Sequence, residues 1–584
     1  MAFISLVSIA GSCLGYPTNV AHWLPLDAGG WSVVTTSADS RVIHVSSSSG
    51  SDTTGNGSIT NPYATIAKGK SYLRSGNPDW LLLKKGDVWY ETLGQLRASG
   101  RSAAEPMVIG SYGAGPRPML KTGAANAMST SGAGGGPPNT SYLVVMGLSC
   151  YAHTRDPESP EFAGCAGGTG VSWLRGATNL LFEDCRFDSY VTGLVIQNTD
   201  GYGIFDVVIR RCVVVDSYST NSHSQGIYTA GINGLLAEEN VIDHCGWNEL
   251  LPGAEATIFN HNYYIQTSCR IVTVRGNILT RSASHGCQLR PGGILADNLI
   301  VQCALAGFAA GHESECDYSY VTGNVIMEGR DITPATRRGF GIELLPARVL
   351  NTCEGNIIAN KLPSVAGYAA LTSYSATNGC GFAIRRNTIV NWRTGNGGQL
   401  VVQTPYRCAE VRNNIIQETA SDSRLFTHSG PTGDVSFASQ LYHGTRPSNE
   451  WFTLASTSYD LNGWSAQTGE TDSRAFHVPF KDPTRSVASY HASLGGSNSF
   501  DAFIAACRAQ SKDTWDTNYT ASAVIAYLRE GFRPMVDLGP EQIGAVWPPV
   551  PEPAMIALLT AVGFSRAGRA RATHQERRGA SAQC

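Results

Sequence analysis

Three short segments place histidine, tyrosine and arginine at similar points of strand-like sequence. The segments are HSQGIYTAG (223–231), NHNYYIQTS (260–268) and SHGCQLRPGG (284–293). Side chains alternate between the two faces of a strand, so inward Ile227, Ile265 and Leu289 would direct their neighbours outward. The residues predicted to be catalytic are His223, Tyr228, His261, Tyr264, His285 and Arg290. The residues predicted to contact substrate between them are Asn262, Gln266 and Gln288.

These residue types suit the cleavage of an acidic polysaccharide by β-elimination. Arg290 is expected to neutralise a uronate carboxylate, because its planar fork of donors matches that group. Tyr264 or His261 is the candidate base for the C5 proton, and Tyr228 or His285 is the candidate acid for the leaving oxygen. A structural role at coil corners remains the alternative for any single residue. The concentration of these residues in three successive units favours a site.

A repeat in the middle of the chain would position these segments. Its markers are Cys185, Cys212, Asn240, Asn277, Asn298, Asn324, Asn356, Asn387 and Asn414, which are 21 to 37 residues apart. Each unit contains a Val/Ile-rich run, a polar bend and a second apolar run, which predicts strand, bend and strand. The period of about 29 residues is too short for a propeller blade. We therefore expect coils of a parallel β-helix, with inward asparagines stacked at each bend.

This repeat resembles the right-handed parallel β-helix proteins of the pectate-lyase-like superfamily. The resemblance implies an all-β solenoid with capping elements at its ends. Ile242-Asp243-His244 is similar to a segment of the pectate lyases, although Val241 stands where their tryptophan would be. Arg290-Pro291 begins like their arginine and proline motif but lacks its second arginine. We therefore do not transfer their calcium-dependent mechanism: no cofactor is expected, and calcium is possible.

The pattern along the chain divides it into four parts. The predicted parts are a leader or entry segment (1–40), the β-helix (41–425), an irregular segment with a helical C-terminal cap (426–547) and a tail (548–584). A short capping helix is expected to open near Pro62. The spacing of apolar residues predicts helices over 500–510 and 519–532, which we assign to the C-terminal cap.

Both termini suggest export. Residues 2–15 are apolar and small, as in a signal peptide that lacks its basic start. The segment VPEPAMIALLTAVGF (550–564) precedes Arg566, Arg569 and Arg571, and this order resembles the PEP-CTERM sorting tail of bacteria. The resemblance implies a secreted or cell-surface protein with transient membrane anchoring through the tail. We expect a monomer that acts on polysaccharide.

Composition excludes some other functions. The formal net charge of −3, with 15% charged residues, offers no broad basic surface for nucleic acid. None of the 15 cysteines forms a CxxC pair, which argues against structural zinc. We expect the cysteines to be mostly buried small side chains, with Cys380 and Cys408 as the first pair to test for a disulfide.

Three other functions remain open. A glycoside hydrolase would need two carboxyl groups about 5 to 9.5 Å apart. The candidates are Asp243, Glu249, Glu255 and Glu343. The long insertion at 245–260 would then wall a sugar cleft, with Trp247 as a stacking platform. A C5 epimerase shares the proton abstraction, and an exported repeat protein can also bind polysaccharide without cleaving it.

Overall fold

The computed structural model describes residues 19–130, 139–303, 308–310, 318–330, 339–362, 368–374, 381–406, 409–431, 435–539 and 543–545, all within a unit spanning residues 1–546. These residues form three sheets of 14 strands each, which we name sheets A, B and C in the order in which the chain visits them. Successive strands within a sheet are parallel, except for the last pair of sheet C.

Sheet A contains Val42–Val45, Trp80–Lys84, Met107–Tyr112, Leu143–Met146, Ala177–Glu183, Ile204–Arg210, Ile232–Glu238, Arg270–Arg275, Gly293–Ala296, Tyr318–Thr322, Leu350–Glu354, Phe382–Arg385, Ala409–Arg412 and Val435–Ala438. Sheet B contains Val88–Trp89, Met119–Lys121, Ser149–Tyr151, Arg186–Asp188, Val213–Val215, Val241–Asp243, Ile278–Thr280, Leu299–Val301, Val325–Met327, Ile357–Ala359, Thr388–Val390, Ile415–Gln417, Leu441–His443 and Arg474–Ala475. Sheet C contains Gly94–Gln95, Met128–Ser129, Thr169–Trp173, Thr192–Gln197, Gln225–Ala230, His261–Ile265, Cys287–Leu289, Phe308–Ala310, Ile342–Leu344, Leu371–Ser373, Gly398–Val402, Arg424–His428, Phe452–Leu454 and Thr457–Tyr459.

This topology confirms the predicted parallel β-helix. The chain passes through sheets A, B and C in turn and pairs each strand with the equivalent strand of the next coil. Crossovers between parallel strands of one sheet are right-handed in nearly all proteins. Side chains such as Val214, Ile242 and Ile265 fill the interior, where they are fully buried. The interior is therefore one continuous apolar core, shared by all coils.

A ladder of buried asparagines marks the bend between sheets A and B. Its members are Asn240, Asn277, Asn298, Asn324, Asn356, Asn387 and Asn414, with Gln440 next in line. Each Oδ1 accepts the backbone N–H of the preceding member, as Asn324 does from Asn298 at 2.9 Å. Each Nδ2 donates to a sheet A carbonyl, as Asn324 does to Leu295 at 2.9 Å. The ladder thereby satisfies backbone groups that the bend removes from the sheets.

Short elements close both ends of the core. At the N-terminal end, Ile66–Lys70 is a helix capped by Thr65, and Ile66 is fully buried in the core. This confirms the helix predicted to follow Pro62. At the C-terminal end, Leu461–Thr468 is a helix whose Trp464 stacks on Phe452 at 5.2 Å. Both elements cover apolar side chains that an open solenoid would expose.

The remaining helices cover a side of the solenoid. They are Val487–Ser493, Phe500–Arg508 and Ala521–Gly531, with 3-10 turns at Lys512–Thr514 and Thr517–Tyr519, whereas the 3-10 turn Ser448–Glu450 precedes the last strands of sheet C. The helices predicted at 500–510 and 519–532 are thus present. They pack on outward side chains of sheet B, such as Val241 and Val325, whereas Leu461–Thr468 closes the end. Sheet B needs this cover because its strands are apolar on both faces.

The coils extend further than the sequence pattern indicated. Strands continue past residue 425 to Arg474–Ala475. The sequence pattern misses these last coils because Gln440 takes the place of asparagine in the ladder. Before the first strand, residues 19–40 run across the outer face of sheet A. There Val20 and Leu24 pack on a row that includes Val144 and Leu236.

Several predictions concern other parts of the chain. Nine of the ten described cysteines are buried and all ten are free thiols, which confirms their expected packing role within the described residues. Cys380, Cys408, the leader at 2–15 and the tail at 548–584 lie outside the described residues. Among the residues that the structure describes, no helix is long and apolar enough to cross a membrane.

Replacement of one ladder asparagine tests the role of the bend. Asn324→Ala should lower the free energy of unfolding by about 2–5 kcal/mol, because it leaves the Asn298 N–H and the Leu295 carbonyl buried without partners. Chemical denaturation followed by circular dichroism measures this loss. Asn233→Ala, at an exposed position of sheet A, is the matched control and should cost less than about 0.5 kcal/mol. Equal losses for the two variants would contradict the ladder's role.

Candidate active site on sheet C

A row of outward side chains crosses the middle coils of sheet C. Tyr228 pairs with Tyr264, and Tyr264 pairs with Gln288, in the register of adjacent strands. The strand register that aligns these residues continues through Ala309 to Glu343. Adjacent strands lie about 4.8 Å apart, so these residues share one surface. The predicted outward orientation of Tyr228, Tyr264 and Gln288 is confirmed, because all three are partly exposed beside fully buried neighbours.

Arg290 and Tyr264 form the centre of this surface. The Arg290 Nη1 donates to the Tyr264 hydroxyl oxygen at 2.6 Å and to Gln266 Oε1 at 3.1 Å. The Tyr228 ring lies edge-on to the Tyr264 ring at 5.4 Å. Burial is the main cause that raises the pKa of Tyr228 above its usual value. The cluster thus combines a cation, a phenol that accepts from it, and a second phenol that stays protonated at neutral pH.

A local break in strand alternation brings His261 to the same surface. Asn262 and Tyr263 are consecutive, yet both point inward and are buried. The Asn262 Nδ2 donates to the carbonyls of Ile242 and Thr280 at 3.0 Å each, in two adjacent strands of sheet B. The His261 ring therefore faces outward and contacts the Tyr264 ring at 5.2 Å. The substrate contact predicted for Asn262 is wrong, since its side chain is inside the solenoid.

Two histidines and a carboxylate form the second part of the cluster. His285 Nδ1 lies 3.1 Å from His261 Nδ1, and His285 Nε2 lies 3.1 Å from Glu343 Oε2. The Tyr374 hydroxyl donates to Glu343 Oε1 at 2.5 Å. Burial is the largest cause that lowers the pKa of His261 well below its ordinary value, followed by the charges of His285, His223 and Arg290. His261 is accordingly neutral at physiological pH.

His223 occupies a different place from the one that the alignment predicted. The register pairs His261 with Gln225, and Gln225 Oε1 accepts from the His261 backbone N–H at 2.6 Å. His223 precedes that strand, is exposed, and lies edge-on to Phe259 at 5.4 Å. The matching histidines are therefore only His261 and His285, in two adjacent coils. The first segment begins its strand at Gln225, two residues later than the alignment assumed.

Trp247 also lies apart from the row on sheet C. Its Nε1 donates to the Arg281 carbonyl at 2.8 Å, and its ring packs edge-on to His244 at 4.5 Å. The insertion that contains it joins sheet B to sheet C, and its far end brings Ile258 against Phe340 and Tyr368. The insertion thus borders sheet C through Ile258 and Phe259, whereas Trp247 packs on the side of sheet B.

The carboxyl groups considered for a hydrolase are dispersed. Asp243 is fully buried on sheet B, where it accepts from Arg281 and Arg508 and joins the solenoid to its covering helix. Glu249 pairs with His244 Nε2 at 2.9 Å, and Glu255 is exposed in the insertion. Of these four, only Glu343 lies in the sheet C cluster. Within the described part of the chain, no group of three or more His, Cys, Asp or Glu side chains is placed to hold a metal ion.

Comparison with known proteins gives similarities of architecture. No family model matches the chain, and no curated protein matches it either. A GH136 lacto-N-biosidase from Eubacterium ramulus is 12% identical, covering 75% of this chain and 68% of its own, with a TM-score of 0.33. An alginate lyase from Paenibacillus sp. str. FPU-7 is 12% identical, covering 56% of this chain and 96% of its own, with a TM-score of 0.33. A surface adhesin of Streptococcus pneumoniae is 10% identical, covering 65% of this chain and 86% of its own, with a TM-score of 0.35. All these TM-scores lie below 0.5, so the fold assignment rests on the strand order and register described above.

Sequence reasoning missed the contacts that join Glu343 and Tyr374 to the histidines. The sequence presents Glu343 only as a separate carboxyl group. The alternation of GIELL does place Glu343 outward between Ile342 and Leu344, which was the available signal. The register that aligns it with Gln288 depends on irregular loop lengths, and these cannot be read from the repeat.

The pH dependence of stability tests whether Glu249 and its partners are structural. Hydrogen bonds with Asp216 and Glu249 raise the pKa of His244 to about 9 against the desolvation that lowers it. The resulting stabilisation is complete below the unfolded pKa of about 6.5 and is lost as pH rises through 9. His244→Gln should therefore cost about 3 kcal/mol more at pH 6 than at pH 10, measured by urea denaturation.

Asn233→Ala, at an exposed position without a titratable group, is the control and should show the pH dependence of the unmodified protein. A cost of His244→Gln that is the same at pH 6 and pH 10 would refute the assigned ion pairs.

Proposed function

We propose that this chain is a polysaccharide lyase that cleaves a uronate-containing polymer by β-elimination on the outer face of sheet C. The observation that carries the proposal is the 2.6 Å hydrogen bond from Arg290 to the Tyr264 hydroxyl, which lies next to the buried neutral His261. A guanidinium beside a phenol and an imidazole supplies the charge and the acid–base groups that the elimination needs.

The roles follow from the chemistry of each group. The fork of Arg290 would pair with the uronate carboxylate and withdraw charge from C5. Tyr264 or His261 would remove the C5 proton, while Tyr228 or His285 would protonate the leaving oxygen. Tyr228 suits the acid role because its raised pKa keeps the proton on the phenol until the bond breaks. Gln266 and Gln288 lie beside these groups and would bind sugar hydroxyls.

The hydrolase reading receives less support from the described residues. A glycosidase needs two carboxyl groups on either side of the scissile bond. Glu343 lies in the cluster, but Asp243 and Glu249 are held in ion pairs on the side of sheet B. A C5 epimerase would use the same proton abstraction and would return the proton to the opposite face. A pure polysaccharide-binding protein would use the row of tyrosines for stacking alone.

The setting of the enzyme is part of the proposal. We infer that it acts outside the bacterial cytoplasm as a monomer, and that the tail gives transient membrane anchoring. Its partner is a polysaccharide and not a nucleic acid, in keeping with the net charge of −3. The elimination needs no cofactor if Arg290 neutralises the uronate carboxylate. Calcium would be the candidate cofactor if another cation does so.

Incubation with a panel of uronate polymers tests this function. The full chain should generate unsaturated ends that absorb in the ultraviolet, at a rate that a metal chelator leaves unchanged. Arg290→Ala should lower that rate at least ~10²-fold, because it removes the positive charge that stabilises the developing anion. Tyr264→Phe should lower it by a similar factor. Arg412→Ala and Tyr202→Phe, at exposed positions elsewhere, are the matched controls and should keep full activity.

The products distinguish the alternatives. New reducing ends without ultraviolet absorbance would identify a hydrolase. A change in uronate configuration without chain cleavage would identify an epimerase. Binding of the polymer without any product would leave only a binding protein, and each of these three results would overturn the lyase proposal.

A further inference from the structure

The insertion at 245–260 presents an exposed phenylalanine beside the sheet C cluster. Phe259 is 57% exposed, and its ring lies 5.4 Å from the ring of His223. It precedes His261 by two residues, so the Cα atoms of Phe259 and His261 are at most about 7 Å apart. Phe259 and His223 precede their strands of sheet C, whereas Gln266 and Arg290 follow theirs. The phenyl ring therefore borders the cluster at the end opposite to Arg290.

Hydrogen bonds hold the chain on both sides of this ring. The Phe259 carbonyl accepts from Gln225 Nε2 at 2.8 Å, and Gln225 Oε1 accepts from the His261 backbone N–H at 2.6 Å. The Ile258 carbonyl accepts from Ser284 Oγ at 3.2 Å. One buried glutamine thus ties the residue that carries the phenyl ring to the strand that carries His261.

The two ends of the insertion also meet each other. The buried Asn260 donates through Nδ2 to the Gly246 carbonyl at 2.7 Å, and its Oδ1 accepts from the Ser224 backbone N–H at 3.1 Å. Gly246 has a φ of +95°, and a Cβ at that position would lie 2.6 Å from the Cβ of Asn260. Glycine therefore permits this close approach. The closed neck keeps Phe259 next to sheet C.

Exposure of one apolar side chain does not by itself identify a site, because many surfaces carry such residues. Phe259 differs in that its backbone is anchored and its ring lies beside a cluster of acid–base groups. A phenyl ring held in water forgoes the stabilisation that burial gives, and a ligand that covers the ring recovers it. A pyranose ring suits this surface, since its hydroxyl groups project around the edge and its faces carry C–H groups.

We propose that Phe259 is a stacking platform for a sugar ring of the polymer, roughly one or two sugar units away from the bond that is cleaved. This assignment rests on the function proposed above. The phenyl ring is uncharged, so it would bind the C–H face of the sugar and leave recognition of a carboxylate to Arg290. Phe259 binds substrate but does not touch the reacting atoms.

The platform also assigns a direction to the polymer. The strand His261–Ile265 is about 17 Å long at 3.3 Å per residue, and Phe259 and Gln266 lie beyond its two ends. A polymer that contacts both would cross sheet C along the strands. Binding of a remote sugar at Phe259 would hold the reacting sugar in register beside Tyr264, because the two units belong to one chain.

The dependence of affinity on oligosaccharide length tests this subsite. Size series prepared from alginate, polygalacturonate and glucuronan are titrated calorimetrically into the full chain with Tyr264→Phe, which slows consumption of the ligand. Adding Phe259→Ala should weaken the binding of long oligosaccharides ~5-fold or more, because the stacked sugar loses its apolar partner. Oligosaccharides too short to reach residue 259 should bind both proteins equally.

Two further variants show whether the aromatic ring is responsible. Phe259→Tyr keeps a flat ring and should retain the affinity to within ~2-fold. Phe205→Ala removes another exposed phenylalanine, 42% exposed on sheet A, and should change the affinity at no length. The subsite would be overturned by an equal loss at every length, by no loss at any length, or by a protein that binds none of the three polymers.

Cleavage assays distinguish failure of the subsite from failure of the proposed function. In the otherwise unmodified chain, Phe259→Ala should lower kcat/KM for long oligosaccharides ~5-fold or more and leave short substrates unaffected. Cleavage that is the same in both proteins at every length would overturn the subsite and leave the lyase intact. Binding that depends on Phe259 without any unsaturated product would refute the lyase and support the subsite.

Discussion

The stacking of one coil on the next, at about 4.8 Å, is the constraint on which the whole molecule depends. It turns residues that are 21 to 37 positions apart in the chain into neighbours, as it does for Tyr228, Tyr264 and Gln288. The asparagine ladder holds this register, because each side chain bonds the backbone of the coil before it and the side chain of the coil after it. A slip by one residue would turn the outward row into the core. The geometry of the candidate site is therefore a consequence of the ladder on the opposite side of the coil.

Much of this architecture could be predicted from the sequence, since it depends on a repeated local pattern. The bend asparagines, the inward aliphatic residues and the outward Tyr264 and Arg290 all follow from period-two alternation and one anchor per coil. What could not be predicted depends on exceptions to that pattern. Asn262 and Tyr263 point inward together, with the Asn262 amide bonded to carbonyls of two sheet B strands, and this break turns the His261 ring toward the outer face, although it stays buried. Gln440 continues the ladder in place of asparagine, so the last coils carry no motif.

The same limits explain what was missed at the site itself. His223 resembles His261 and His285 in sequence, but a strand that begins two residues later puts Gln225 in the matching position. Glu343 meets His285 from two coils away, across loops whose lengths follow no repeat. Asp243 looked available as a carboxyl group, and its burial between Arg281 and Arg508 depends on a helix more than 250 residues later in the chain. Long-range contacts of this kind leave no local signal.

The central claim is that the outer face of sheet C brings a cation, a phenol and a neutral imidazole to one sugar ring. The most direct measurement is a crystal structure of the Tyr264→Phe variant with a bound uronate oligosaccharide. The account predicts a sugar carboxylate paired with the Arg290 guanidinium and its C5 beside the rings of residue 264 and His261. An oligosaccharide bound on another face, or one whose carboxylates point away from Arg290, would contradict it.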